Sequence, residues 1–110
     1  MVGWFDISKT NKGKFRFELR AGNAEILLTS ELYQVKIAAE NGIAAVQKHC
    51  AKDELYERKQ SDRGKFYFIL NAGNQKILAT SPFYPSAQAR DQGIESVKLN
   101  GVSDTIKDNT

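Results

Sequence analysis

His49 and Cys50 are the only residues of their types in the chain, and they are adjacent. An imidazole beside a thiol is the raw material of a nucleophile–base pair. Neighbours on a regular helix, however, point about 100° apart, so these two cannot address one reacting atom. With Asp53 and Glu54 close behind, they also lack the ligand spacing of a metal site. They read as a helix-terminal histidine and a buried small thiol. Asp91 and Glu95 lie four apart on one helix face, exposed rather than paired for acid–base work. The glycines of Ala21-Gly22-Asn23 and Ala72-Gly73-Asn74 end hairpins instead of opening helices, so neither turn is a phosphate loop. The sequence therefore assigns no catalytic residue, no cofactor-binding residue and no metal ligand, and it points away from an enzyme.

Two surface constellations remain. Arg63-Gly64-Lys65-Phe66-Tyr67-Phe68-Ile69 resembles the aromatic strand of an RNA-recognition motif but fails in register, because Lys65 stands where an aromatic should follow the glycine. Phe66 and Phe68 belong to the core, which leaves Tyr67 and Ile69 on the opposite strand face. There they form an apolar contact patch, with Trp4 or Leu78 extending it, for a protein or small ligand. The second constellation is basic. Lys12, Lys14 and Arg16 near one turn, with Arg63 and Lys65 near another, are expected to form a two-fold basic rim suited to nucleic-acid phosphates. Sixteen Lys and Arg against thirteen Asp and Glu give a formal charge of +3, interspersed along the chain, which permits a polyanionic partner without demanding one.

The elements that position these residues come from a repeat. Shifting the sequence by 51 places lays Gly13-Lys14-Phe15-Arg16-Phe17-Glu18-Leu19 on Gly64-Lys65-Phe66-Tyr67-Phe68-Ile69-Leu70. Ala21-Gly22-Asn23 falls on Ala72-Gly73-Asn74, Ile26-Leu27 on Ile77-Leu78, Thr29-Ser30 on Thr80-Ser81, and Tyr33 on Tyr84. Of the 37 positions from Gly13 to His49, 17 are identical without a gap. The chain is a tandem duplication. The same offset carries Trp4 onto Leu55 and Leu55 onto Ile106, so the tail begins like a third first strand.

Within each unit the period changes once. Phe15, Phe17 and Leu19 alternate with Arg16, Glu18 and Arg20, the signature of a strand with one buried face, and Phe66, Phe68 and Leu70 repeat it. Trp4–Lys9 and Glu54–Gln60 read as preceding strands, with turns at Thr10–Gly13 and Ser61–Gly64. Ile26–Thr29 and Ile77–Thr80 read as returning strands, after turns in which Gly and Asn supply positive φ. Ala39, Ile43, Val46 and Cys50 then share one helix face, as do Ile94 and Val97. Ser86 can cap the second helix. Val35, its counterpart, cannot, so the first helix is expected to start less sharply or to borrow a cap from Ser30 or a nearby side chain. Gly42 with Ala38 and Ala45, and Gly93 with Ala89 and Ser96, form small-residue stripes expected to admit close backbone approach, helix to sheet or helix to helix.

The doubled pattern Lys-Phe-x-Phe-x-Leu, Ala-Gly-Asn, Ile-Leu, Thr-Ser, Tyr and Gly-Ile-x-x-Val resembles the YegP-like family of small bacterial proteins over nearly the whole chain. The resemblance implies an α+β fold of two β-β-β-α-β units sharing one antiparallel sheet. Both helices pack on one face, and the last strands are exchanged between units. It brings no functional residue with it. Val35, where a small hydroxyl residue is expected, and Pro82, opposite Glu31, depart from the pattern without threatening the fold.

At 110 residues the chain makes one domain, 1–110, of two repeats at about 1–53 and 54–110. A domain of this size buries roughly 60–70% of its unfolded surface and stands without staples. One cysteine permits no internal disulfide. The start reaches Asp6 without an apolar signal core, and no apolar run approaches the roughly 20 residues needed to cross a bilayer, so the expected setting is cytoplasmic and not membrane-bound. With both units in one chain, a monomer is expected.

Overall fold

A computed structural model describes residues 3–74 and 76–110. The chain forms β1 (Trp4–Lys9), β2 (Phe15–Arg20), β3 (Ile26–Ser30) and α1 (Lys36–His49), then a 3₁₀ turn (Asp53–Leu55). β4 (Tyr56–Gln60), β5 (Phe66–Asn71), β6 (Ile77–Thr80), α2 (Ala87–Asn100) and β7 (Ile106–Asp108) follow. Glu54 belongs to the 3₁₀ turn, so β4 starts two residues later than its sequence pattern indicates.

All seven strands lie in one sheet, ordered β4-β5-β6-β3-β2-β1-β7. At its centre β3 pairs antiparallel with β6, and Thr29 faces Thr80. These two are equivalent residues of the two repeats, so an internal twofold axis passes between them. Alternation puts Phe5, Ile7, Phe17, Leu19, Leu28, Phe68, Leu70 and Ala79 on one face, where they are buried with Ile43, Val46, Ile94 and Val97 of the helices. Among the described residues the opposite face carries no helix.

The exchange of end strands occurs as the resemblance implies: β4, closing the first unit, pairs with β5 of the second, and β7, closing the second, pairs with β1 of the first. The β1–β7 pairing is parallel, so the sheet is mixed, not wholly antiparallel. The repeat itself explains this. β1 already fills the place beside β2 that corresponds to β4 beside β5, and a third copy of that strand can only add outside β1.

Identical residues hold identical joints. Ser30 Oγ accepts from Phe17 N (2.8 Å) and donates to the Glu31 carbonyl (2.8 Å), and Ser81 does the same with Phe68 N (2.9 Å) and the Pro82 carbonyl (2.8 Å). Both hydroxyls thus replace ladder partners where β3 and β6 end. Because Ser30 is so engaged, it does not cap α1. Helix α1 has no side-chain cap at Val35, whereas Ser86 Oγ accepts from Ala89 N at 3.0 Å. The first helix nevertheless begins at the equivalent position and has the same 14-residue length. The expected borrowed cap is absent, and tertiary packing holds its start.

In the β2–β3 hairpin the left-handed residue is Ala24 (φ 71°), not Gly22 or Asn23; Asn23 Oδ1 instead accepts from Glu25 N at 3.1 Å. Its counterpart, Gln75, lies outside the described residues. Positive-φ glycines occur at Gly13 and Gly64, closing the two first hairpins.

Candidate functional site

The helix-free face places the sequence's candidate residues in definite relation to one another. Register across the sheet aligns Glu57, Ile69, Thr80, Thr29, Glu18, Asp6 and Lys107 in one row. Tyr67 lies one step along β5 from Ile69, opposite Lys59. Its ring meets Phe83 edge-on at 5.6 Å between centroids, and Phe83 is 64% exposed. Tyr67, Ile69 and Phe83 therefore form an apolar corner. The sequence reading missed Phe83, although its place in the repeat, matching Leu32 as Tyr67 matches Arg16, could have paired the two.

Trp4 does not join this corner. It sits on β1, four strands from β5, or roughly 19 Å at normal strand spacing. The tail covers it: Lys107 Nζ lies 3.9 Å from the centre of its ring, and the indole N–H is buried with no acceptor among the described residues. Leu78 does not join either, because it is buried on the helix side.

The basic residues separate likewise. Strands alternate in direction from β4 to β1, so the β1–β2 and β4–β5 turns fall at opposite ends and opposite sides of the sheet. Lys12, Lys14 and Arg16 share one corner and Arg63 and Lys65 the diagonal one; there is no common rim. Each turn is held rigidly. Thr10 N donates to the Lys14 carbonyl (2.7 Å), Gly13 N to the Thr10 carbonyl (3.0 Å), and Thr10 Oγ1 accepts from Lys14 N (3.1 Å). Ser61, Gly64 and Lys65 repeat the arrangement. At the first corner Ser8, Lys9, Thr10, Asn11, Lys12, Lys14, Arg16 and Leu32 enclose an open groove of about 470 Å³.

On the helix side, Gly42 and Gly93 admit rings rather than backbone. Tyr33 stacks on Phe17 and Tyr84 on Phe68, each pair inclined 13°, with each tyrosine hydroxyl over its glycine. Burial, then Glu31 and Glu25 respectively, raises the Tyr33 and Tyr84 hydroxyls above the ordinary tyrosine range. Beside each stripe runs an open trough: about 670 Å³ between α2 and the 21–25 turn, and about 300 Å³ between α1 and Lys76. The charged side chains lining the two, Glu25 and Lys76, are both exposed and of opposite sign.

His49 ends α1, where Lys52 lies 3.5 Å from its Nδ1; desolvation, then Lys52 and Lys48, lower its pKa. Cys50 is fully buried, and burial pushes its thiol up, away from the nucleophilic thiolate. Asp91 pairs with Arg58 (3.3 Å) and Arg90 (3.2 Å), and Glu95 with Lys98 (3.2 Å), in surface bridges. Among the described residues no three His, Cys, Asp or Glu side chains are grouped to hold a metal, and no helix is long and apolar enough to cross a membrane.

A duplicated β-β-β-α-β unit folded about an internal twofold, with a bare sheet face, defines the class of protein. The chain belongs to the family described as domain of unknown function 1508 (DUF1508), whose profile matches twice, at residues 11–57 and 61–108. It is 53% identical to the UPF0339 protein YegP of Escherichia coli K12 over 110 residues, all of both chains. A UPF0339 protein of Acinetobacter baylyi is 54% identical over all of this chain and 99% of its own. The solution NMR structure of E. coli yegP, described as a protein of unknown function, superposes with a TM-score of 0.95 at 53% identity, covering 100% of this chain and 95% of that one. The NMR structure of a UPF0339 protein from Shewanella oneidensis gives 0.93 at 46% identity, covering 98% and 92%.

Proposed function

We propose that the protein is a non-enzymatic binding module whose contact surface is the Tyr67–Phe83 corner of the bare sheet face. The observation that carries this reading is the edge-on pair of half-buried Tyr67 and 64% exposed Phe83, on a face that no helix among the described residues covers. Leaving the Phe83 ring mostly in solvent forgoes a large part of the roughly 1.5–3 kcal/mol that full burial of a phenylalanine gives, a sacrifice that a partner would recover. Lys59, opposite Tyr67, and Arg63 and Lys65 in the adjoining turn border the corner. The partner that fits is a protein segment with apolar side chains flanked by acidic ones.

The test uses the intact protein as bait against lysate of its native host, alongside the double variant Tyr67→Ala/Phe83→Ala and the counterpart variant Leu32→Ala. The reading requires a partner lost by the double variant, kept by Leu32→Ala, and mapped to an acidic, apolar segment. A partner retained by all three, or none captured by the wild type, refutes it. Both variants alter exposed or half-exposed side chains, and matching thermal melts establish that they fold.

A further inference from the structure

We infer that the groove at the β1–β2 corner is a binding site for a chain of closely spaced phosphates. The inference stands on a different corner from the Tyr67–Phe83 surface and does not depend on it.

Four cations, Lys9, Lys12, Lys14 and Arg16, line one groove of about 470 Å³ with no acid among its lining residues. None of the four forms an ion pair among the described residues, whereas Arg20, Lys36, Arg58, Lys59, Arg90 and Lys98 each have a carboxylate partner within 4.0 Å. These four cations follow one another along the chain with no acid between Asp6 and Glu18, and the β1–β2 turn folds them around one groove. The equivalent positions of the second repeat, Lys59, Gln60, Ser61, Asp62, Arg63, Lys65, Tyr67 and Phe83, hold three cations and one acid. Outside these two corners the chain carries nine cations against twelve acids. The protein's positive balance is thus a property of its turns.

The internal twofold makes the comparison a controlled one. Both turns have the same backbone, with Gly13 at φ 79° and Gly64 at φ 78°. A turn of this shape therefore does not require the four charges. Like charges gathered without counter-charges repel one another, and among the described residues no carboxylate lies within 4.0 Å of any of the four. An anion would.

The chemistry selects phosphate. Most of the turn's backbone donors are taken: Thr10 N and Gly13 N bond within the turn, and Thr10 Oγ1 accepts from Lys12 N (3.3 Å) and Lys14 N (3.1 Å). Recognition must come from side chains: three ammonium groups as point charges and one guanidinium able to grip two oxygens at once. The Ser8 hydroxyl and Asn11 amide can add hydrogen bonds. Lys9 is steadied over the Phe15 ring, 5.7 Å from its centre. Four cations along one groove match successive phosphates better than a single carboxylate, and a nucleic-acid backbone and a free polyphosphate share that chemistry.

The test measures fluorescence anisotropy of a labelled single-stranded oligonucleotide, and NMR shifts with inorganic tripolyphosphate, on the full chain. The wild type is expected to bind at low salt, with affinity falling along a log–log salt slope of roughly −3 if all four cations contact phosphates of a single strand. Lys12→Ala/Lys14→Ala/Arg16→Ala should weaken binding at least tenfold and flatten the slope, whereas Arg63→Ala/Lys65→Ala should leave both nearly unchanged. Binding of both ligands through the same residues identifies a nucleic-acid backbone as the source; binding of tripolyphosphate alone identifies a free polyphosphate. The inference is overturned if neither ligand binds at micromolar protein. It is equally overturned if the triple variant binds like the wild type or if the Arg63/Lys65 variant loses as much. Unchanged melting temperatures separate loss of site from loss of fold.

Discussion

Cys50 and Gly101 are counterparts in the two repeats and touch each other: a β-carbon on Gly101 would lie 2.8 Å from Cβ and 2.9 Å from Sγ of Cys50. Each closes its helix, and the two helix ends converge toward the internal twofold. A symmetric pair of cysteines would overfill the junction, so one copy keeps the side chain and the other is glycine. Gly101→Ala gains helix propensity of up to about 1 kcal/mol but overpacks the joint by roughly 1–3 kcal/mol, so net destabilisation is expected. Adding Cys50→Gly should recover part of the loss. Chemical denaturation of the two single variants and the double variant checks this, and strict additivity would mean that the residues do not compete for the space.

A related substitution distinguishes the two helices. A methyl at position 42 would meet Tyr33 Oη at 2.7 Å and Phe17 Cε2 at 2.8 Å, and Phe17 is fully buried and cannot retreat. At position 93 the corresponding phenylalanine, Phe68, is 3.3 Å away, so the close contact is confined to Tyr84, whose ring borders an open trough. Gly42→Ala should therefore cost more than Gly93→Ala, about 1–3 kcal/mol against less than about 1 kcal/mol once helix propensity is credited. Urea midpoints give the order, and equal midpoints would contradict it.

Much of this was legible because the chain prints its unit twice. The alternation of Phe15, Phe17 and Leu19, repeated at Phe66, Phe68 and Leu70, determines which face is buried; the 51-residue offset makes Ile106 the start of a third first strand, and the exchanged strands of the family place it beside the first unit. The parallel sense of that last pairing was not legible, since offset says where a strand belongs and not which places are occupied. The glycine stripes were seen, but their purpose depends on where Tyr33 and Tyr84 project. The candidate site suffered most. Trp4 and Tyr67 share a sheet face by periodicity, yet strand order puts three strands between them. The supposed basic rim divides because alternating strand directions send its halves to opposite corners.

Tyr56 predicts an alkaline limit. Its hydroxyl donates to the Cys50 carbonyl at 2.6 Å in a buried setting, and burial first, then nearby negative charge, raises its pKa well above the ordinary tyrosine value. A raised folded-state pKa contributes stability that is fully present below the unfolded value of about 10 and is lost as pH rises beyond it, because the unfolded chain ionises first. Wild-type melting temperature should fall as pH passes about 10. Tyr56→Phe should melt lower than wild type at pH 7, by the worth of one hydrogen bond, about 1 kcal/mol, and should decline less steeply above pH 10. Parallel curves from pH 7 to 11 would remove Tyr56 from the account.

The tail gives the last prediction. The three residues of β7 are all exposed and would ordinarily be dispensable. Here they are fastened repeatedly. Phe5 N donates to the Thr105 carbonyl (2.9 Å) and Asn109 N to the Ile7 carbonyl (2.8 Å), Lys107 covers Trp4, and Lys36 at the start of α1 grips Asp108. Gln47 Nε2 also donates to the Ser103 carbonyl at 2.8 Å. Deleting residues from Ser103 onward uncovers Trp4 and leaves the backbone groups of β1 unpaired along an open edge, which invites association. Stability should fall by roughly 1–3 kcal/mol, and at 4–8 °C per kcal/mol for a domain of this size the melting temperature should fall by several degrees. The full chain should sediment as a monomer and the truncated chain partly as a dimer. Asp108→Asn removes the Lys36 pair but keeps the strand, so it should reproduce little of the loss. Lys36 and Thr110 hold the Asp108 carboxyl below the usual range, so their contribution is present above about pH 4 and fades only as pH falls further. Truncated protein with unchanged mass and melting temperature would show that β7 contributes nothing to the fold.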